Sequence, residues 1–186
     1  PEKEYPLILS LHGAGGKGND NLNSLKIWTK YLAEDALRQK HPCFVLVPQT
    51  DTWWKTAGEQ IVPTQEMLDA MDPTWNKFKE RLAATPPFLE SSNLSTVFEL
   101  VEQVRADYKI DASRIYVLGH SMGGFGSWTS IWQRPDFFAA AIPCAGGLHP
   151  WYDYAKIKDI PIWAFHSADD HIIPVEYSRA IFKEID

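Results

Sequence analysis

Gly119-His120-Ser121-Met122-Gly123-Gly124 is the stretch with the most definite chemistry in this chain. It follows the apolar run Arg114-Ile115-Tyr116-Val117-Leu118 and leads into Phe125-Gly126-Ser127-Trp128, so it reads as strand, sharp turn and helix. A serine at such a turn takes a strained backbone conformation that projects its hydroxyl from the sheet edge. Gly119 and Gly123 remove the side chains that would crowd it. The chemistry implied is nucleophilic attack by the Ser121 hydroxyl.

A second glycine-rich stretch, His12-Gly13-Ala14-Gly15-Gly16-Lys17-Gly18, closes the apolar run Tyr5 to Leu11. Gly13, Gly15 and Gly18 satisfy the dinucleotide fingerprint Gly-x-Gly-x-x-Gly, and Glu34 or Asp35 falls near the distance of a ribose contact. These glycines run into Asn19-Asp20-Asn21 instead of opening a helix, and the acidic pair lies inside a helical pattern, so a nucleotide site is rejected. Gly16-Lys17 fails as a P-loop because Gly18 stands where Ser or Thr is required. What remains is a strand-end loop whose backbone N–H can face a developing oxyanion.

Several elements must position these two stretches. Tyr5 to Leu11 and Cys43 to Val47 read as buried parallel strands, the second closed by Pro48. Leu22, Leu25, Trp28, Leu32 and Ala36 recur at helical spacing and predict a helix to about Arg38. Leu94, Val97, Phe98, Val101, Val104 and Tyr108 predict another, before the strand that carries Ser121. After Ser121 a helix presents Trp128, Ile131 and Trp132 and stops at Pro135; Phe137 to Pro143 and Ile160 to Phe165 read as two further strands. The alternation predicts an α/β fold with a mostly parallel sheet between helices. Between Gln49 and Asn93 the pattern breaks into Trp and Phe interleaved with Pro, which reads as an insertion bordering the active site, its aromatics walling the substrate or capping the sheet edge. His149 and Trp151 fall in a strand-end loop on the same rim.

With 186 residues and 45% hydrophobic content the chain predicts one domain. Eighteen basic against 24 acidic side chains, net −6, with no Lys/Arg run, argue against nucleic acid or an anionic membrane as partner. No apolar run approaches the roughly 18 residues of a bilayer span. Cys43 and Cys144 lack metal or redox spacing and read as buried free thiols, with a disulfide between them as the alternative. Compartment and oligomeric state are not specified by these features.

Three stretches together resemble the compact carboxylesterases of the α/β-hydrolase fold, related to polyhydroxybutyrate depolymerases, feruloyl esterases and the phospholipase/carboxylesterase group. They are Pro6 to Gly15 with Gly18-Asn19-Asp20-Asn21; Asp111 to Gly124; and Ile160 to His166 with Asp170-His171-Ile172-Ile173-Pro174. The resemblance implies a three-layer sandwich of which the third to seventh strands are visible. It implies a serine hydrolase acting on short-chain or aromatic carboxylic esters, free or polymer-linked, through an acyl-enzyme and without metal or organic cofactor. Ser121 would be the nucleophile and Asp170 the acid, preferred over Asp169 by its spacing to Ile173-Pro174. The N–H groups of Ala14 and Met122 would form the oxyanion hole. His12, Gly13, His120, Trp53, Trp54 and Trp151 would border the substrate. A peptidase or thioesterase on the same scaffold, or a catalytically inactive binding domain, are the alternatives.

In this superfamily the triad histidine follows the acid after one more strand. No histidine after Asp170 other than the adjacent His171 is present, and His149 is the best substitute in the chain. Both edges of the expected sheet would be long unpaired strands, which native sheets avoid, so a domain continuing at both ends is expected.

Overall fold

β1 (Tyr5–Leu11) and β3 (Ile110–His120) lie side by side at the middle of the sheet in a computed structural model that describes residues 3–26, 28–54, 69, 93–149 and 152–185. β2 (Phe44–Leu46) flanks β1 and β4 (Ala140–Cys144) flanks β3, giving the order β2-β1-β3-β4 with every pairing parallel. The Ile160–Phe165 segment continues the sheet beyond β4 through two parallel bridges, Ala141 to Ile162 and Cys144 to Phe165. Parallel strands place all their carboxyl ends at one edge. Register pairs Leu11 with Gly119 and His120 with Cys144, so the loops after β1, β3 and β4 emerge together.

Alternation along the strands sorts side chains between two faces. Leu7, Leu9, Leu11, Ile115 and Val117 are each at most 1% exposed and point to one side. There they join Leu94, Val97, Phe98 and Val101 of α3 (Asn93–Asp107), Trp128 and Ile131 of α4 (Met122–Gln133) and Ile181 of α5 (Glu176–Ile185) in one core. α4 ends at Gln133, one residue short of the position preceding Pro135, where helical backbone is disfavoured.

The helix expected from Leu22 to Arg38 is not a single helix. Two short ones form, α1 (Thr29–Leu32) and α2 (Asp35–Lys40), and Leu22 is 70% exposed. Asp20 Oδ1 accepts the N–H groups of Leu22 and Asn23, a local turn that competes with helix initiation. Glu34 then adopts an extended ψ of 138° between the two helices. Trp28 nonetheless packs toward the sheet, its indole N–H donating to Ser10 Oγ at 2.9 Å. β3 starts earlier than expected, at Ile110, because Asp111 binds Ser113 and Arg114 and folds the extra residues into an irregularity between the Tyr5 and Leu7 pairings. β4 begins later, at Ala140. Most of the insertion expected from Gln49 to Asn93 lies outside the described residues.

Candidate active site

Ser121 is the residue on which the site is built. It sits between β3 and α4 with φ 57° and ψ −117°, a backbone conformation that a non-glycine residue adopts only when its surroundings impose it. The imposing contacts are backbone to backbone. The Ser121 N–H donates to Cys144 O at 2.9 Å and Ser121 O accepts from Phe125 N–H at 3.0 Å. A Cβ at Gly119 would stand 2.1 Å from Gly123 O, and one at Gly123 would stand 1.9 Å from Leu11 O. The turn can close against β1 only with glycine at both positions.

The loop after β1 meets this turn. A Cβ on Gly13 would lie 3.1 Å from His120 O, 3.7 Å from His120 Nδ1 and 3.7 Å from Ser121 Cβ, so Gly13, His120 and Ser121 are in contact. Ala14 opens a short 3-10 turn, Ala14–Gly16, while Met122 opens α4, where the first N–H groups have no partner within the helix. The two N–H donors expected to face an oxyanion thus belong to two elements that touch at Gly13 and Ser121.

This loop is tied down from three sides. Gln49 donates to Gly16 O and to Asp20 Oδ1 and accepts from the Asn21 N–H. Thr50 N–H donates to His12 Nε2 at 3.0 Å, which requires that His12 Nδ1 carry the proton it gives to Gly13 O at 2.8 Å. Burial pushes His12 below its ordinary pKa, Lys17 and Lys26 add to the effect and the Gly13 carbonyl opposes it, so the ring is a neutral strut. Trp54, expected at the substrate, is only 5% exposed, donates its indole N–H to His12 O at 2.9 Å and lies tilted against the His12 ring, centroids 4.7 Å apart. Its neighbour Trp53 points outward, 40% exposed, under Lys17. Trp151 lies outside the described residues.

Asp170 follows the Ile160–Phe165 segment, which is bridged to Cys144 and so to the Ser121 turn. Its Oδ1 accepts the N–H groups of Ile172 and Ile173, both at 2.9 Å. The carboxyl is held below the usual carboxylate range first by Ile173, then by Ile172 and by the nearby His166 and His120, against its partial burial. Asp169 turns away and is bound by the Ser167 hydroxyl. His149, the expected substitute base, stands among the rings of Phe125, Tyr152 and Tyr177. Burial pushes it down to about 4, which makes it a poor proton acceptor at neutral pH. His166 went unremarked as a functional residue in the sequence, where it only ends a strand; its side chain is 3% exposed and its Nε2 stands 3.7 Å from Asp170 Oδ2. Two open grooves lined by Tyr5, Pro42 and Cys43 lie at the opposite, amino-terminal edge of the strands.

Comparison with known proteins bears on this geometry. The model of the prolyl oligopeptidase family matches residues 90–184, the half that contains Ser121 and Asp170. Cutinase est1 of Thermobifida alba is 48% identical over 80 residues, 41% of this chain and 25% of its own length. Poly(3-hydroxyalkanoate) depolymerase C of Paucimonas lemoignei is 40% identical over 52 residues, 28% of this chain and 13% of its own. The crystal structure of a thermostable esterase superposes over 100% of this chain and 44% of its own, with a TM-score of 0.76 and 36% identity. The chain therefore spans a quarter or less of these two curated relatives and under half of the esterase. The fold is the α/β-hydrolase fold, as the sequence motifs led one to expect.

Proposed function

The chain belongs to the prolyl oligopeptidase family, and on that premise we propose that the complete protein is a serine carboxylesterase acting on short-chain or aromatic carboxylic esters. The observation that carries the reading is the backbone of Ser121, held at φ 57° and ψ −117° at the sheet edge. Such strain is retained where a nucleophile must project.

In the proposed reaction Ser121 Oγ attacks the ester carbonyl carbon as its proton passes to a histidine base. The N–H groups of Ala14 and Met122 receive the oxyanion, each donor worth about 3 kcal/mol of transition-state stabilisation in comparable sites. The base returns the proton to the departing alcohol, leaving an acyl-Ser121. Water then repeats the sequence and releases the acid. Asp170 orients the base and stabilises its cationic form. Three histidines are not assigned as the base: His12 and His166 have both ring nitrogens engaged, and His149 is held near 4.

Ester over peptide is supported by the cutinase, depolymerase and esterase named above. The test is a fluorophosphonate on the complete protein, followed by a series of p-nitrophenyl ester, thioester and anilide substrates. One adduct at Ser121 with fastest turnover of the ester supports the proposal; an unmodified Ser121 defeats it, and an anilide turned over faster than the ester moves the protein to the peptidases.

A further inference from the structure

We propose that His166 is the positioning residue for Asp170, a role that rests on the esterase reading. A triad acid must offer one carboxylate oxygen to the base in a fixed direction while the other is immobilised. Asp170 Oδ1 is immobilised by the N–H groups of Ile172 and Ile173. At 3.7 Å from His166 Nε2, Oδ2 is beyond hydrogen-bond reach and remains for another donor.

Ile173 is the piece that aims the carboxylate, and His166 holds it. The ring lies 2.8 Å from Ile173 O through Nε2. A carbonyl only accepts, so Nε2 carries a proton and donates it. Ile173 is thereby gripped at both ends, its N–H by Asp170 and its carbonyl by His166.

The other side of the ring reaches toward the nucleophile. His166 Nδ1 lies 2.7 Å from Ser178 Oγ, and that oxygen stands 2.9 Å from Gly146 O. Gly146 is pressed against α4, where an added Cβ would stand 2.5 Å from the Gly124 carbonyl carbon. Two residues earlier, Cys144 O receives the Ser121 N–H. One buried imidazole thus joins the loop that carries the acid to the loop that fixes the nucleophile. Both ring nitrogens are spent on Ile173 and Ser178, so the role is to position.

The experiment is a double-mutant cycle in the complete protein with p-nitrophenyl acetate, using His166→Gln, Asp170→Asn and the pair. Displacing a catalytic group by about 1 Å costs on the order of 100-fold. The expected result is therefore a His166→Gln variant that stays folded by thermal unfolding, with kcat lowered by about 10- to 100-fold and KM unchanged. In the Asp170→Asn background the same substitution should cost nothing more, because the group it aims is already disabled. Multiplying losses in the pair, or an unchanged kcat in the folded single variant, overturns the proposal. If His166→Gln does not fold, Ser178→Ala takes its place in the cycle with the same two outcomes. Wild-type protein that neither turns over nor labels at Ser121 overturns the esterase reading as well, whereas labelling at Ser121 with multiplying losses overturns the role of His166 alone.

Discussion

The turn at Ser121 and the loop at Asp170 stand at the same edge of the sheet and are held there by different means. The turn is fixed by main chain lying on main chain: Gly119 against Gly123 and Gly123 against Leu11, with no room for a methyl group. The loop is fixed by polar contacts, two N–H groups on Asp170 Oδ1 and the His166 ring beneath Ile173. Close packing of backbone fails all at once when anything is added. A hydrogen-bonded loop can lose a contact and keep its path, so the two regions should separate stability from activity under mutation.

The largest effect expected is at Gly123. Alanine there drives a Cβ to 1.9 Å from Leu11 O, where neither neighbour is a movable side chain. Destabilisation beyond about 4 kcal/mol is expected, enough to leave a domain of this size unfolded. Loss of the cooperative thermal transition in the complete protein checks it. A folded, active Gly123→Ala would show that the turn can relax, and the contrast with the acid loop would disappear.

Asp170→Asn tests the other side of the comparison. Asparagine keeps an oxygen for the Ile172 and Ile173 N–H groups, so the loop should hold and the melting temperature should change little. What is lost is the charge that orients and stabilises the base, worth roughly 10⁴-fold in kcat in comparable triads. Turnover kinetics and a thermal melt on one preparation separate the two effects.

The same contrast explains what the sequence made legible. Gly119, Ser121 and Gly123 act within five residues of one another, and glycine is demanded by local sterics, so the turn could be read from residue types alone. The Leu22 to Arg38 helix was misread because hydrophobic spacing ignores Asp20, whose carboxylate takes the N–H groups a helix would need. Trp53 and Trp54 are adjacent and chemically alike; contacts far away in sequence, with the His12 carbonyl and against Gly126, hold Trp54 inward. His166 was opaque for a similar reason. Its partners Ile173 and Ser178 lie 7 and 12 residues after it, while Gly146, which Ser178 contacts in turn, lies 20 before it, and no short motif encodes that meeting.

His149 gives a smaller, pH-dependent effect. Burial lowers its folded pKa from 6.5 to about 4, so the folded ring resists a proton that the unfolded chain accepts. Above pH 6.5 both states are neutral and the residue contributes no pH dependence. Between pH 6.5 and 4 the unfolded state binds more protons and stability falls as pH falls, by no more than about 3 kcal/mol in total. Urea titrations at pH 7.5 and 5 should show a lower midpoint at pH 5. His149→Phe, which keeps a ring among Phe125, Tyr152 and Tyr177, should flatten that difference. An unchanged pH slope in the variant would assign it to other groups.

Gly15→Ala carries the smallest expected effect and sharpens the comparison most. Its neighbour Gly16 is closed, since a Cβ there would lie 2.7 Å from the His12 side chain, yet at Gly15 nothing among the described residues stands within 4 Å. Gly15 is inside the Ala14–Gly16 turn and is not among the positive-φ residues, so alanine fits its conformation. Restricting the unfolded chain should then stabilise the protein by about 0.4–1 kcal/mol, a rise of roughly 1–4 °C in Tm. The consequence for activity depends on how the oxyanion loop works. Gln49, Thr50 and Trp54 already hold it in place, so a further restriction should leave kcat unchanged. A kcat that falls while Tm rises would mean that the loop must move during turnover, and that the backbone around Ser121 is rigid on one side only.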